Sequence, residues 1–147
     1  MILNRQKKVR LATRPLAAFL EKIERELKLE GVEVSIAFVS DADIARWNER
    51  YLRKKGPTDV LSFPVLQRRR GEKSGITSSR TATFLGDIAI APETARRYAK
   101  KNRRTLHSEL RILMLHGVLH LMGYDHENDN GRMTRIEQKL RRRLGIA

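Results

Sequence analysis

One helix-length segment constrains the fold of this chain most, because apolar residues cover nearly every side of it. The segment starts at Thr105 and carries the following apolar residues: Leu106, Leu110, Ile112, Leu113, Met114, Leu115, Val118, Leu119 and Leu121. A helix that is apolar around most of its circumference has to be buried on most of its sides. We therefore expect this segment to be a central helix with the rest of the chain packed around it.

Shorter patterned segments predict the element order βαβαββααα. Strands are predicted at residues 2–3, 32–38, 60–63 and 84–90, where apolar side chains alternate or cluster. The first helix is predicted from Leu16 to near Gly31, and the second from a cap at Ser40 or Asp41 until Gly56, with Ile44, Trp47 and Tyr51 pointing inward. The third is predicted from Pro92 to about Asn102, and the fourth starts at Thr105. The last helix is predicted from an apolar stripe of Met133, Ile136, Leu140 and Leu144. The sequence therefore predicts a single α+β domain over residues 1–147, with a small mixed β-sheet packed with helices around the buried central helix.

Composition restricts the partners of this domain. Lys and Arg number 31 against 17 Asp and Glu, a formal net charge of +14 that favours polyanions such as nucleic acid. Residues 67–83 are basic and poor in apolar side chains, and they predict a long loop joining two hairpin strands. Eight aromatic residues are too few to predict a base-stacking platform, so backbone electrostatics is the expected main source of affinity.

Cysteine content and hydropathy indicate the compartment. The chain has no cysteine, which excludes disulfides and thiolate ligands and fits a reducing cytoplasm. No apolar run approaches the roughly 20 residues that span a bilayer. We expect a cytoplasmic protein that does not bind membranes.

Three of the four histidines predict a metal site on the central helix. His116 and His120 are four residues apart, on one helix face, and His126 follows Gly123, which can end the helix and turn the chain back. Three imidazoles at one point form a zinc site whose fourth position stays open, as in catalytic zinc sites. The expected cofactor is one Zn²⁺ per chain, although nickel or copper would also suit imidazole ligands.

This histidine spacing is that of metzincin metalloproteases, with one difference. Those enzymes carry a glutamate directly after the first histidine as general base. This chain has Gly117 there. A peptidase would need its base from another carboxylate, so a metalloprotease is the weaker alternative.

Two further segments, together with the histidines, resemble one family. They are Asn48-x-x-Tyr51 with Pro57-Thr-Asp-Val-Leu-Ser-Phe-Pro64, and Gly86-Asp-Ile88. With His116 to His126, they resemble the YbeY family of bacterial ribosomal-RNA maturation endoribonucleases, over about residues 48–126. The resemblance implies zinc-dependent cleavage of single-stranded RNA, maturation of the 3′ end of small-subunit rRNA, and ribosome quality control. The implied partners are rRNA and the ribosome or its small subunit. We also expect a monomeric protein without a DNA partner.

Candidate catalytic residues follow from the same comparison. Family members place an arginine directly after the tyrosine matching Tyr51, whereas this chain has Leu52 there and Arg53 next. Arg53 is a candidate to stabilise the charge of the transition state. Separately, Asp125 lies next to His126, so it is a candidate base or hydrogen-bond partner of a ligand, or equally a turn residue that caps local amides. The nucleophile stays open between a water molecule and the RNA 2′-hydroxyl. A non-catalytic RNA-binding assembly factor stabilised by zinc is the alternative from another class.

Two more residues near the histidines have less direct interpretations. Glu109 lies seven residues before His116, so it could orient an imidazole, but an ion pair or a surface position is the favoured interpretation. His107 lies outside the ligand spacing and is predicted to be an exposed residue at the start of the helix.

Overall fold

The computed structural model describes residues 1–65, 84–125 and 130–146, and these ranges contain four strands and five helices in the predicted order. The strands are β1 (Ile2–Asn4), β2 (Glu33–Phe38), β3 (Val60–Pro64) and β4 (Phe84–Ile90). The helices are α1 (Thr13–Glu26), α2 (Asp41–Leu52), α3 (Pro92–Lys101), α4 (Leu106–Leu121) and α5 (Arg132–Leu144). The α+β prediction is confirmed, whereas the loop predicted at residues 67–83 falls outside the described residues.

The sheet is mixed, with strand order β1-β2-β4-β3. β1 and β4 each pair with β2 in parallel, and β3 pairs with β4 antiparallel, as predicted for a hairpin. The register places Ser62 opposite Ile88 and Phe63 opposite Asp87. Because successive side chains of a strand point to opposite faces of the sheet, Ser62 and Ile88 share one face, and Phe63 and Asp87 share the other.

Alternation gives the two faces of the sheet different partners. Large side chains such as Val34, Ile36 and Ile88 are buried in one core with residues of α1 and α4. The other face carries smaller side chains, including Ala37 and Ala89, in a second and smaller cluster with α2. One face is thus packed against the central helix, and the other is covered only in part.

The central position predicted for α4 is confirmed. Its side chains from Ile112 to Leu115 are all buried, as are Val118 and Leu119. Thr105 is the N-cap of this helix, and its hydroxyl accepts a hydrogen bond from the Ser108 amide. None of the described helices is long and apolar enough to cross a lipid bilayer.

Three local predictions were wrong. α2 was expected to continue until Gly56, but it ends at Leu52, because Arg53 adopts a left-handed conformation. α1 was expected to continue to near Gly31, but it ends at Glu26, because Lys28 adopts a left-handed conformation and the Leu29 amide bonds to the Glu24 carbonyl. Tyr51 was expected to point inward, but it is 57% exposed in the last turn of α2. The predicted Ser40 cap of α2 is confirmed by a hydrogen bond from the Asp43 amide.

Candidate active site

A cleft of about 370 Å³ lies between α4, β3 and the end of α2. Its lining residues are Tyr51, Leu52, Val60, Leu61, Ser62, Phe63, Pro64, His116 and His120. The Ser62 hydroxyl donates a hydrogen bond of 3.2 Å to the Gly117 carbonyl. This bond connects the strand wall of the cleft to the helix that carries the histidines.

His116 and His120 meet in this cleft as their spacing predicts. Their Nε2 atoms are 3.0 Å apart, and their ring centroids are separated by 4.6 Å at an interplanar angle of 73°. Two nitrogens that bind one tetrahedral zinc at 2.0–2.1 Å lie about 3.3 Å apart. The two imidazoles therefore point the same nitrogen at a single location, as two ligands of one metal do.

Glu137 of α5 supports this pair, and sequence reasoning missed it. Its Oε1 lies 2.8 Å from His116 Nδ1, and the two side chains are only 13% and 24% exposed. Arg141 lies 3.8 Å from the other carboxylate oxygen. A carboxylate that accepts a hydrogen bond from Nδ1 holds the proton on that nitrogen, and Nε2 is then the unprotonated nitrogen that a metal requires.

A signal for Glu137 was present in the sequence. It lies four residues after Met133 and three before Leu140, so it occupies the apolar stripe of an otherwise charged helix. Met133 and Leu140 are both buried in the structure. A carboxylate in such a stripe is costly unless it has a partner, and His116 is that partner.

The other predicted site residues are placed as follows. His126 lies outside the described residues. Asp125 is exposed after the end of α4. Arg53 ends α2 in a left-handed conformation and is exposed, and it is not among the residues that line the cleft, whereas Leu52 is. The roles assigned to Arg53 and Asp125 stay predictions.

Glu109 and His107 have separate environments. Glu109 is buried and accepts a hydrogen bond of 3.0 Å from Arg104, so the ion-pair interpretation is confirmed and the surface position is not. His107 is exposed, as predicted, and partial burial together with the nearby Arg111 lowers its pKa.

Asp59 places a partly buried carboxyl close to the cleft. Burial raises the pKa of its carboxyl, and the charge of Glu109 raises this pKa further. Hydrogen bonds from the Asp59 and Val60 amides and the charge of His116 act in the opposite direction. This carboxyl directly precedes the strand that lines the cleft.

Gly117 explains the absence of a glutamate after the first histidine. A Cβ built at this position would lie 2.9 Å from two side-chain carbons of Ile88 on β4. Position 117 therefore faces the sheet rather than the cleft, and close helix–sheet packing needs a glycine there. A metzincin-type general base has no space at this position.

The donor set of the described residues fits a metal. Two imidazoles converge on one point, one of them is oriented by a carboxylate, and the cleft gives access to them. Within residues 1–65, 84–125 and 130–146, no group of three metal-binding side chains occurs. The third ligand predicted from the spacing, His126, lies between these ranges.

Fold and site together define an α+β protein with paired histidines in a cleft beside a mixed sheet. A family model described as endoribonuclease YbeY matches residues 1–145. The chain therefore belongs to the endoribonuclease YbeY family.

Individual relatives agree with this assignment. The endoribonuclease YbeY of Syntrophus aciditrophicus is 37% identical over 97% of this chain and 85% of its own length. The protein of the same name from Koribacter versatilis is 38% identical over 99% of this chain and 86% of its own length. A solution structure of a Thermotoga maritima protein has a TM-score of 0.61 and 26% identity, covering 98% of this chain and 89% of that one. The resemblance seen in the motifs thus extends over nearly the whole chain.

Proposed function

We propose that this protein is a zinc-dependent endoribonuclease that cleaves single-stranded RNA. The observation that supports this most directly is the convergence of His116 and His120 Nε2 atoms in a cleft, within a chain of the endoribonuclease YbeY family. The net charge of +14 supports a polyanionic substrate, because it raises the local concentration of RNA. An endoribonuclease is a hydrolase that cuts RNA phosphodiester bonds.

In this proposal His116, His120 and His126 hold one Zn²⁺. When bound, the ion supplies Lewis-acid polarisation of a phosphoryl oxygen and activation of a nucleophile. The Glu137 carboxylate keeps a proton on His116 Nδ1, so that the Nε2 lone pair faces the cleft. The strand and helix walls hold the RNA backbone beside these nitrogens and limit the access of water.

The cell-biological part of the proposal is supported by the family resemblance. We infer a cytoplasmic, monomeric enzyme that matures the 3′ end of small-subunit rRNA and takes part in ribosome quality control. Arg53 and Asp125 are the proposed catalytic side chains. Arg53 would have to reach the cleft from the end of α2, where its side chain is exposed.

A comparison of His120→Ala with His107→Ala tests the proposal. Loss of a hydrogen-bond partner of a metal ligand typically lowers activity by about 10- to 100-fold, and loss of the ligand itself should lower it more. In His120→Ala, cleavage of single-stranded RNA should therefore fall by more than about 100-fold. His107→Ala removes an exposed histidine of the same helix and should retain wild-type cleavage and zinc content. Cleavage rates and bound zinc would be measured on both variants, with melting temperatures to confirm that they are folded.

The same experiment separates the alternatives. An RNA-binding assembly factor would bind RNA without cutting it, and wild type would then show no zinc-dependent cleavage. Equal cleavage by wild type and His120→Ala would contradict metal catalysis. A peptidase is disfavoured by the packing of Gly117 on Ile88, and zinc-dependent turnover of a peptide substrate would revive it.

A further inference from the structure

A second groove of about 390 Å³ opens on the sheet face opposite α4. It is lined by Leu3, Arg5, Ser35, Ala37, Trp47, Tyr51, Phe63, Asp87, Ile88 and Ala89. The volume lies within the usual range of small-molecule sites, roughly 300–1,000 Å³. Neither His116 nor His120 lines it.

The groove exists because small and large side chains alternate along the strands. Ser35, Ala37 and Ala89 form a low floor, since their larger neighbours point toward α1 and α4. Trp47 and Tyr51 stand beside this floor on α2, and Phe63 stands on β3. Three of the eight aromatic residues thus line one groove, although their number in the sequence predicted no stacking platform.

Asp87 places a carboxylate in this aromatic surrounding. Partial burial raises its pKa, and a hydrogen bond from the Ser35 side chain opposes that increase. The carboxylate is still exposed toward the groove. A partly desolvated carboxylate is stabilised by additional hydrogen-bond donors, and a ligand in the groove can supply them.

The groove is continuous with the histidine cleft. Tyr51 and Phe63 line both cavities. Their rings are packed edge to face, with centroids 5.6 Å apart. A single RNA strand that passes over this pair can place one nucleotide at the histidines and a neighbouring base in the groove. Arg5 adds a cation at the groove that can pair with a phosphate of the same strand.

We propose that this groove binds an unpaired guanine base of the RNA, stacked on Trp47 and hydrogen-bonded to Asp87. Guanine presents two adjacent donors, N1–H and the N2 amino group, which match the two oxygens of a carboxylate. Adenine and cytosine present an acceptor nitrogen beside their amino group, and uracil presents one N–H between two carbonyl oxygens. Single-stranded RNA is generally recognised in this way, by stacking and by hydrogen bonds to base edges.

Trp47 provides the measurement, because it is the single tryptophan of the chain. Its fluorescence would be titrated with each of the four ribonucleoside 5′-monophosphates, in wild type, Asp87→Asn and the control Glu30→Gln. Guanosine monophosphate should quench the signal at the lowest concentration. Asp87→Asn should weaken guanosine binding about tenfold, the usual effect of one bidentate contact, and Glu30→Gln should not change it.

Several results would overturn the inference. Among these are the absence of nucleotide-dependent quenching, equal quenching by all four nucleotides, and unchanged guanosine binding in Asp87→Asn. A response of Trp47 to an arginine-containing tripeptide with no response to any nucleotide would assign the groove to a protein segment instead. Melting temperatures would confirm that the Asp87→Asn protein is folded.

The inference rests on the proposed RNA cleavage, and a cleavage assay distinguishes the two failures. Wild type and Asp87→Asn would cut an RNA of mixed sequence, and the bases flanking each cut would be counted. Cleavage by wild type with a flanking-guanine preference that Asp87→Asn loses supports the groove. Cleavage without such a preference overturns the groove alone, whereas guanosine quenching without cleavage overturns the nuclease and leaves the groove.

Discussion

The histidine cleft lies between β3 and α4, whereas the groove at Asp87 lies on the sheet face opposite α4, and their volumes are similar, about 370 and 390 Å³. On the histidine side, β4 is packed so closely against α4 that a Cβ at position 117 would lie 2.9 Å from side-chain carbons of Ile88. On the other side, the floor consists of Ser35, Ala37 and Ala89, and α2 covers only part of it. The two sides differ in packing far more than in size.

This difference matches the function that we propose for each side. A metal site needs ligands held within fractions of an ångström, and in the proposed site a buried helix and the Glu137 carboxylate would hold the histidines in this way. An open groove with small floor residues instead leaves space for a flat group that arrives from solvent. Changes on the packed side should therefore alter stability and metal binding, whereas changes on the open side should alter recognition.

The largest effect is expected for Gly117→Glu, which restores the glutamate of metzincins. Overpacking typically costs about 1–3 kcal/mol, and burying an unpaired carboxylate adds to that cost. The free energy of unfolding, measured by urea denaturation, should fall by roughly 3 kcal/mol or more. No peptidase activity should appear, because the new side chain would face Ile88 rather than the metal.

Two smaller substitutions make the comparison between the faces quantitative. Gly117→Ala adds only a Cβ, and its overpacking of about 1–3 kcal/mol is partly offset by about 1 kcal/mol of helix propensity. Ala37→Val adds two methyl groups on the open face and should change stability by less than about 1 kcal/mol. Wild-type stability in Gly117→Glu, or a larger loss in Ala37→Val than in Gly117→Glu, would contradict the proposed difference.

A medium effect is expected when Glu137 is changed. Loss of a carboxylate that orients a metal-binding histidine typically weakens metal binding by about 10- to 100-fold, and Glu137→Ala should fall in that range. Glu137→Gln keeps an acceptor oxygen for His116 Nδ1 but loses the charge, so it should weaken binding less. Zinc affinity would be measured by competition with a chelating dye.

Gln138→Ala is the matched control for this prediction. Gln138 is the next residue of α5, and its side chain is exposed. Its removal should leave zinc affinity unchanged. If Glu137→Ala bound zinc as tightly as Gln138→Ala, the hydrogen bond seen at 2.8 Å would have no role in holding the ligand.

The fold was largely predictable because its strongest constraints are local in sequence. The all-round apolar segment of α4 and the alternating residues of β2 carry their own evidence of burial and periodicity. The end of α1 was missed because Lys28 already adopts a left-handed conformation and closes the helix, three residues before Gly31, which has a positive φ as well. A left-handed lysine leaves no sequence signature, whereas a glycine attracts the assignment.

The site was predictable only where its residues are close in sequence. His116 and His120 are four residues apart, so helix geometry alone brings them together. Glu137 reaches His116 from 21 positions away, and that contact depends on how α5 packs on α4. The groove at Asp87 joins four strands and α2, and its aromatic residues are scattered over the sequence, so composition could not indicate it.

The smallest expected effect concerns Asp59, at the border of the packed side. Because its pKa is raised in the folded protein, mainly by burial, folding favours the protonated carboxyl. Its contribution to stability is therefore fully present below the ordinary aspartate pKa of about 4 and is lost as pH rises through the raised value. Asp59→Asn stays neutral and keeps one acceptor for nearby amides. Its melting temperature should therefore be higher than that of wild type at pH 7 and nearly the same as that of wild type at pH 4.

Glu30→Gln is the control for this prediction. It removes an exposed carboxylate and should not show this pH-dependent difference in melting temperature. A gap between wild type and Asp59→Asn that widens toward low pH would mean that burial is not the dominant influence on this carboxyl.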